Sequence, residues 1–278
     1  MAMRLDLVDV FVNGALSGNP LAVVHGADGM SDAAMQSLAR WIGFSETTFL
    51  LRPTDPEADY RVRIFTPTLE LPFAGHPTLG SAYAWRAAGG VAKGERIMQE
   101  CGVGLVPVRV TEAGLAFRAP PLRRSGPLSD TEKAAALAQL RLSPEDVIEA
   151  VHVDNGPPWQ LLRLASAQAV LAVSPVVTAQ GVVDLGLIGP SDEPGVDWEI
   201  RGFFTGPGGI LVEDPVTGSL NAGAALYLYE SGLATGDYVA AQGRRIGADG
   251  RVHVSRDEEG VWIAGQVRAV GAGADLAM

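Results

Sequence analysis

Two loops of the chain place a glycine and a polar residue beside the start of a predicted helix. One contains Gly75-His76 and the other contains Gly218-Ser219. A helix start leaves backbone N–H groups unpaired and carries partial positive charge, so it binds anions readily. Glycine lets the backbone approach a ligand closely, although a tight loop-to-helix turn explains either glycine alone. Because the arrangement occurs twice, we predict a site in which both loops hold a small carboxylate or enolate.

Glu46 is the candidate acid/base residue. It lies where Gly43 ends a predicted helix and an apolar strand begins. A carboxyl group packed against Phe44, Phe49 and Leu50 would lose hydration, and its pKa would rise towards a value useful in proton transfer. From the residues alone, an exposed glutamate at a strand end explains this position more often than a catalytic residue does.

Asp214, Ser219 and His76 supply further chemical groups, each with a simpler structural explanation. Asp214 precedes Pro215, so it either orients the turn through local backbone hydrogen bonds or faces the ligand. Ser219 is a good N-cap residue, and a histidine just before a helix is more often structural than catalytic. The three side chains are also the residue types of a Ser-His-Asp triad, which leaves a serine-type hydrolase as an alternative.

The composition argues against several classes of function. The 278 residues are 47% apolar and 19% charged, and the net charge of −11 without a Lys/Arg-rich run argues against a nucleic-acid partner. No window of about 18 apolar residues could span a membrane, and residues 1–7 lack the apolar stretch of a signal peptide. Cys101 is the single cysteine; it fits a reducing compartment, lies outside both loops and is interpreted as inert. We therefore expect a cytoplasmic protein.

The sequence indicates neither a metal nor an organic cofactor. The four histidines are scattered, without a His-x3-His pair or a second cysteine to complete a zinc set. Gly102-Val103-Gly104 lacks the third glycine of a dinucleotide fingerprint, and neither a Walker loop nor a G-x-S-x-G elbow occurs. These patterns argue against the common cofactor enzymes and against the α/β-hydrolase fold.

The two halves of the chain repeat one order of elements. Each half has a strand with an Arg-x-Phe motif, a glycine loop, and a helix rich in Ala, Leu and Tyr, as expected for a helix surrounded by strands. We expect the two arginines, Arg63 and Arg201, to pair with carboxylates structurally. The corresponding segments are 60–65, 75–76 and 78–88 in the first half and 199–204, 218–219 and 220–230 in the second.

Other boundaries follow from caps, periodicity and turn residues. Ser31 begins a helix that Gly43 ends, and Ser143-Pro144-Glu145-Asp146 predicts a second helix start. The Pro- and Arg-rich stretch 119–126 is the predicted linker, and residues 243–273 alternate like strands and turns. We predict two α+β domains that face each other across a cleft. Their bounds are 1–121 and 122–278, with the possibility that the last strands return to the first half.

Several long motifs occur in the order found in a known family. They are Val8-Asp9-Val10-Phe11, Gly18-Asn19-Pro20-Leu21-Ala22-Val23-Val24, Phe44-Ser45-Glu46-Thr47-Thr48-Phe49, Arg63-Ile64-Phe65-Thr66-Pro67-Thr68, Glu70-Leu71-Pro72-Phe73-Ala74-Gly75-His76-Pro77 and Glu213-Asp214-Pro215-Val216-Thr217-Gly218-Ser219. The chain resembles the PhzF-like phenazine-biosynthesis family. The resemblance implies a diaminopimelate-epimerase-like fold, with two pseudo-symmetric domains that each form a curved sheet or barrel around a central helix.

The resemblance also implies an activity and roles for individual residues. The family's best-known activity is isomerisation of trans-2,3-dihydro-3-hydroxyanthranilate without metal or organic cofactor, and the family is generally dimeric, so a homodimer is expected. Glu46 matches the acid/base glutamate, which takes a proton from C3 of the ring and returns it at C1. His76, Asp214 and Ser219 match positions that hold the substrate's amino, hydroxyl and carboxylate groups. The further substrate-binding positions are Ser45, Gly75, Thr217 and Gly218.

The loops lack the cysteine pair that racemases and epimerases of the same fold use. Ala74 precedes Gly75, and residues 213–219 contain no cysteine. A single carboxylate that both removes and returns the proton is therefore favoured. The leading hypothesis is a cofactor-independent isomerase acting on a small cyclic carboxylate. The alternatives are a serine-type hydrolase using Ser219, His76 and Asp214, and a non-catalytic protein that binds small carboxylates.

Overall fold

The computed structural model describes residues 3–277, which divide into two compact units. Unit 1 contains the residues up to Arg118 together with those from Ala264 onward, and unit 2 contains Ala119–Ile263. The chain therefore completes unit 1 with residues from both of its ends.

The elements of the first stretch of unit 1 are β1 (Arg4–Val10), β2 (Asn19–His25), α1 (Asp32–Ile42), β3 (Thr47–Leu51), β4 (Tyr60–Phe65), β5 (Glu70–Leu71), α2 (Gly75–Ala87), β6 (Ile97–Cys101), β7 (Gly104–Thr111) and β8 (Gly114–Arg118). The chain then forms β9 (Arg124–Pro127), α3 (Asp130–Leu140), β10 (Glu149–Asp154), β11 (Gln160–Arg163), α4 (Ala167–Ala172), β12 (Asp184–Pro190), β13 (Trp198–Thr205), β14 (Leu211–Asp214), α5 (Gly218–Glu230), β15 (Tyr238–Gln242), β16 (Gly250–Asp257) and β17 (Gly260–Gly265). The last strand, β18 (Val267–Asp275), pairs antiparallel with β1.

The two units repeat one pattern of strand pairing. In unit 1, β1 is antiparallel to β2, β2 is parallel to β3, β3 is antiparallel to β4, β4 is parallel to β6, and β6 is antiparallel to β7. In unit 2 the same alternation runs through β10, β11, β12, β13, β15 and β16. A short strand, β5 or β14, pairs with β4 or β13 ahead of the long helix of its unit. The repeat expected from the sequence is confirmed.

The helices α2 and α5 are buried on nearly every side. Nine of the thirteen residues of each are buried, and α2 contacts the strands β1 to β4, β6 to β8 and β18. Both helices have a glycine at their sixth residue, where the backbone passes close to a strand. A Cβ atom at Gly80 would lie 2.4 Å from Leu21 Cδ2, and one at Gly223 would lie 2.6 Å from the Val153 carbonyl oxygen. Small residues therefore allow each sheet to close around its helix.

The two arginines predicted to be structural occupy equivalent places in the two units. Arg63 donates through Nε and NH2 to Glu70, at 2.7 and 2.6 Å, and Arg201 donates in the same way to Glu213, at 2.9 and 2.7 Å. Each guanidinium also lies over the phenylalanine two residues later, 5.1 and 4.9 Å from the ring centroids. The pairing with carboxylates is confirmed, and it joins β4 to β5 and β13 to β14 just ahead of the two loops.

The predicted helix start at Ser143 is wrong. Pro144–Asp146 forms only a single 3-10 turn, and the chain enters β10 at Glu149. The turn closes on itself because Asp146 accepts a hydrogen bond from the Ser143 backbone N–H at 2.8 Å.

The helix of this region lies earlier, at α3, where the sequence analysis predicted none. Ser129 and Glu132 form a complete capping box at its start. The predicted linker 119–126 is also partly regular, since β9 begins within it at Arg124.

Candidate active site

Glu46 lies in the short connection between α1 and β3. Gly43 ends α1 in the left-handed conformation, with φ of 75°, and this turn brings the chain back towards the sheet. Ser45 and Glu46 follow, both partly buried, and β3 begins at Thr47. The Glu46 side chain is 15% exposed. The interpretation of Glu46 as an exposed strand-end residue is therefore wrong, whereas its raised pKa stays a prediction.

His76 is the partner that the structure gives to Glu46. Its ring is buried, and Nε2 lies 3.3 Å from Glu46 Oε2. Burial disfavours the charged imidazole and lowers the pKa of His76 to about 3. The imidazole is therefore neutral at physiological pH. Nε2 and Oε2 are close but are not in hydrogen-bond geometry with each other, so the contact is one of proximity.

A chain of buried side chains holds the start of α2. Gly75 and His76 form the first turn of this helix, so His76 lies within it rather than before it. Thr78 Oγ1 donates to the carbonyl oxygen of the N-cap residue, Ala74, at 2.9 Å, and Gln99 Nε2 donates to Thr78 Oγ1 at 3.0 Å. Because the bonds run from β6 into the helix, they fix the turn that carries His76.

The second loop brings Asp214 and Thr217 together in unit 2. Asp214 ends β14, and Thr217 is the N-cap residue of α5, but its hydroxyl does not cap the helix. Instead, Thr217 Oγ1 donates to Asp214 Oδ2 at 2.6 Å, and both residues are buried. Asp214 therefore accepts a local bond from a side chain within its own turn. Whether it also faces a ligand stays a prediction.

Gln242, at the end of β15, makes four hydrogen bonds to this loop and to α5. Its Oε1 accepts from the Thr217 N–H at 3.0 Å and from Asn221 Nδ2 at 2.8 Å. Its Nε2 donates to Thr217 Oγ1 at 2.8 Å and to the Asp214 carbonyl oxygen at 3.2 Å. Because Gln242 Nε2 is a donor, the Thr217 hydroxyl is left to donate to Asp214. The sequence analysis missed Gln242, which is fully buried.

Ser219 lies in the first turn of α5, so its prediction as the N-cap residue is wrong. Trp159 Nε1 donates to Ser219 Oγ at 3.0 Å, and Asn155 Nδ2 donates to the Ser219 carbonyl oxygen at 2.8 Å. Both donors come from the connection between β10 and β11, about 60 residues earlier in the chain. Nothing in the local sequence links Asn155 or Trp159 to Ser219, so neither contact was predicted.

The environment of Ser219 argues against a serine nucleophile. A nucleophilic serine needs a neighbouring base that accepts its proton. The Trp159 indole N–H that contacts Ser219 Oγ can only donate, so it cannot take this role. Within unit 2, the geometry fits a serine that binds through its hydroxyl hydrogen.

The predicted site residues therefore form two sets. In unit 1, Glu46 contacts His76, with Ser45 and Gly75 as their chain neighbours. In unit 2, Asp214 contacts Thr217, and Gly218 and Ser219 continue into the first turn of α5. Each set lies beside the start of the buried helix of its own unit.

Among residues 3–277, no helix is long and apolar enough to cross a membrane.

Comparison with known proteins identifies the family. The family model described as phenazine biosynthesis-like protein matches residues 8–273, which is nearly the whole chain. The chain belongs to this family.

Three relatives of this phenazine biosynthesis-like protein show how far the similarity extends. The trans-2,3-dihydro-3-hydroxyanthranilate isomerase of Pseudomonas aeruginosa is 34% identical over 81% of this chain and 79% of its own. An uncharacterised isomerase of Pasteurella multocida is 31% identical over 96% of this chain and 92% of its own. The antisense-enhancing sequence 1 protein of Schizosaccharomyces pombe is 39% identical, but the match covers only 60% of each chain. As the named relatives indicate, this phenazine biosynthesis-like protein is an isomerase.

Solved structures establish the fold. A PhzF-family phenazine biosynthesis protein of Bacillus anthracis superposes with a TM-score of 0.81 at 25% identity, across the whole of both chains. A probable proline racemase of Agrobacterium radiobacter superposes with a TM-score of 0.58 at 16% identity, over 99% of this chain and 93% of its own. The predicted diaminopimelate-epimerase-like α+β fold is confirmed.

Proposed function

We propose that this isomerase moves a proton within a small cyclic carboxylate and that Glu46 carries the proton. The first substrate to test is trans-2,3-dihydro-3-hydroxyanthranilate, the compound named for the Pseudomonas aeruginosa relative. The observation that supports the proposal most directly is the contact of a partly buried Glu46 with a buried, neutral His76.

A carboxylate in this setting can act as both base and acid. Glu46 removes the proton from C3 of the ring, the electron pair that is left shifts through the conjugated system, and the same carboxyl group returns the proton at C1. The substrate keeps its atoms, and the enzyme ends in its starting protonation state. Partial burial slows exchange of the carried proton with water, which favours its return to the same molecule.

His76 assists without changing charge. With its pKa lowered to about 3 by burial, the ring cannot compete with Glu46 as a base at neutral pH. Its Nε2 lies 3.3 Å from Glu46 Oε2 without hydrogen-bond geometry, so the buried ring restricts the position of the carboxyl group by packing beside it. His76 is proposed to position Glu46 and to contact the substrate's polar groups.

The second set of residues is proposed to bind the substrate's polar groups. Asp214 and Thr217 form a fixed pair, and Ser219 presents its hydroxyl at the start of α5, where partial positive charge favours an anion. A carboxylate substrate suits this set. No metal or organic cofactor is needed for a proton shift of this kind, and we propose that none takes part.

Substitution of Glu46 by glutamine tests the proposal. Glu46→Gln keeps the size of the side chain but removes the acid/base group, so we expect turnover of trans-2,3-dihydro-3-hydroxyanthranilate to fall by at least ~10³-fold, within the range that acid/base catalysis contributes. Binding of the substrate, measured by calorimetry, should change little. The exposed Glu57 provides the control, since Glu57→Gln should retain full activity. Normal turnover by Glu46→Gln would disprove the role of this residue.

The hydrolase alternative has a direct test as well. A fluorophosphonate probe labels an activated serine, and we expect Ser219 to remain unlabelled because its oxygen accepts a hydrogen bond from an indole. Labelling at Ser219, detected by mass spectrometry, would revive the serine-type reaction.

A further inference from the structure

The connection between β10 and β11 holds Ser219 at two points. Trp159 is 3% exposed, and its indole Nε1 donates to Ser219 Oγ at 3.0 Å. Asn155, also buried, donates to the Ser219 carbonyl oxygen at 2.8 Å. The connection itself is fixed by backbone bonds from the Val153 N–H to the Trp159 carbonyl oxygen and from the Trp159 N–H to the Pro157 carbonyl oxygen, both 2.9 Å long. The indole therefore reaches Ser219 from a rigid support.

The indole determines the direction in which the Ser219 hydroxyl can bond. A serine hydroxyl has one hydrogen to donate and two lone pairs that accept. Since indole N–H is donor-only, Trp159 must occupy a lone pair of Ser219 Oγ, and the hydroxyl hydrogen must point elsewhere. Among residues 3–277, no protein acceptor lies within hydrogen-bond geometry of that hydrogen. The hydroxyl is thus oriented as a donor to an acceptor outside the chain.

The surroundings of Ser219 favour an anionic acceptor. Ser219 occupies the first turn of the 13-residue α5, and the side chain of the N-cap residue Thr217 bonds to Asp214 instead of capping the helix N–H groups. A donor hydroxyl beside uncapped helix N–H groups suits the charged oxygens of a carboxylate better than the single, uncharged carbonyl oxygen of an amide.

We propose that Trp159 is a positioning residue that fixes Ser219 as a hydrogen-bond donor to the substrate carboxylate. This proposal rests on the proposed function and deepens it, since it names the residue that orients Ser219 towards the carboxylate of such a substrate. Trp159 acts through Ser219 and does not itself take part in the proton transfer.

Binding of a matched pair of ligands tests the inference without any need for turnover. Anthranilate and 2-aminobenzamide have similar shapes, but anthranilate carries a carboxylate where 2-aminobenzamide carries an amide. By calorimetry, we expect wild-type protein to prefer anthranilate. Trp159→Phe keeps a buried aromatic ring but removes the donor, and Ser219→Ala removes the hydroxyl. Each should weaken anthranilate binding by ~10-fold, the order expected for one hydrogen bond to a charged group, and weaken 2-aminobenzamide less, because its carbonyl oxygen is uncharged.

A double variant separates a role through Ser219 from a general structural role. If Trp159 acts through Ser219, the Trp159→Phe/Ser219→Ala protein should bind anthranilate as Ser219→Ala does, because the donor has nothing left to orient. Trp262→Phe is the matched control. It removes another buried indole that donates to a carboxylate, Asp257 Oδ1 at 3.1 Å, and it should leave the preference between the two ligands unchanged.

Three results would overturn the inference. The first is an equal loss of affinity for both ligands in Trp159→Phe. The second is a full additional loss of anthranilate affinity in the double variant compared with Ser219→Ala. The third is a wild-type protein that does not prefer anthranilate or does not bind it. The proposed reaction would fail differently, by normal turnover in Glu46→Gln. Either proposal can therefore fail while the other stands.

Discussion

Glu46 and His76 show how burial assigns roles to two titratable groups. Glu46 keeps 15% of its side chain exposed, whereas His76 is 5% exposed as a whole residue. Burial of the imidazole disfavours its charged form and lowers the pKa of His76 to about 3. The histidine is then a neutral partner, and the more accessible carboxyl group is the one that can exchange a proton with a substrate.

The pKa of His76 leads to a prediction about pH. The folded pKa of about 3 lies below the unfolded value of about 6.5, so between these values only the unfolded chain binds the proton. The contribution of the neutral His76 to the free energy of unfolding is complete above pH 6.5 and is lost as the pH falls towards 3. By NMR, the His76 ring signal should not titrate between pH 5 and 9.

The variant His76→Gln, which cannot take up this proton, serves as the control for stability. Its deficit in free energy of unfolding relative to wild type should narrow by about 2 kcal/mol between pH 6.5 and pH 5. Chemical denaturation at the two pH values measures this difference. A His76 signal that titrates near pH 6.5, or a deficit that stays constant, would contradict the account.

For single residues, the sequence predicted which side chains could take part in chemistry better than it predicted which side chains they contact. Glu46 stood out through its family motif and His76 through its loop, and the structure joins them. Ser219 was misassigned as a cap because serine is a common N-cap residue. The cap position falls two residues earlier, at Thr217. Trp159 could not be found, since its bond to Ser219 spans 60 residues.

The starts of α2 and α5 depend on side chains from the strands that follow them. In both units a glutamine bonds to the fourth residue of the helix, Gln99 to Thr78 and Gln242 to Asn221. These helix residues in turn donate to the carbonyl oxygen of the N-cap residue. Neither N-cap side chain caps its helix, so the bonds to the glutamines replace local capping with tertiary support.

Loss of the Gln242 amide should therefore damage both stability and the loop. Gln242→Leu keeps similar bulk but leaves the Thr217 N–H and Asn221 Nδ2 buried without this acceptor, which should cost about 2–4 kcal/mol of unfolding free energy. We also expect lower turnover, because the Asp214–Thr217 pair loses its support. Urea denaturation and turnover assays measure the two effects.

Gln266→Leu is the matched control for this substitution. Gln266 is exposed, and its side chain donates one bond of 3.2 Å, to the Glu112 carbonyl oxygen. Its replacement should change stability by less than about 0.5 kcal/mol. If Gln242→Leu changed the unfolding free energy and turnover as little as Gln266→Leu does, the Gln242 amide would not support the loop.

Capping residues predicted a helix correctly only where the residues that follow the cap remain helical. Ser31 and Gly43 bound α1 as expected, because a cap and a left-handed glycine act within one turn. Ser143-Pro144 has equally good caps, yet β10 begins at Glu149 and leaves room for one 3-10 turn. The pairing of β10 with β9 and β11 determines that the residues after this turn form a strand. The local sequence does not predict this pairing.

At the scale of the whole molecule, the duplication is the feature that the sequence made most visible. Two arginine strands, two glycine loops and two small-residue helices predicted two similar halves, and the strand pairing repeats as expected. The sequence also allowed for a return of the last strands to the first half. Strand β18 joins unit 1 by pairing with β1, a contact between opposite ends of the sequence. A homodimer, a cytoplasmic location and independence of cofactors stay predictions.

The proposed reaction requires one partly shielded carboxyl group, Glu46, to carry the proton from its donor carbon to its acceptor carbon. The most direct measurement is conversion of trans-2,3-dihydro-3-hydroxyanthranilate in D2O, with the hydrogen content of the product at C1 read by mass spectrometry and NMR. A carboxyl group that returns the proton it removed should leave a measurable fraction of protium from C3 in the product. Conversion with complete incorporation of deuterium, or conversion at the normal rate by Glu46→Gln, would contradict it.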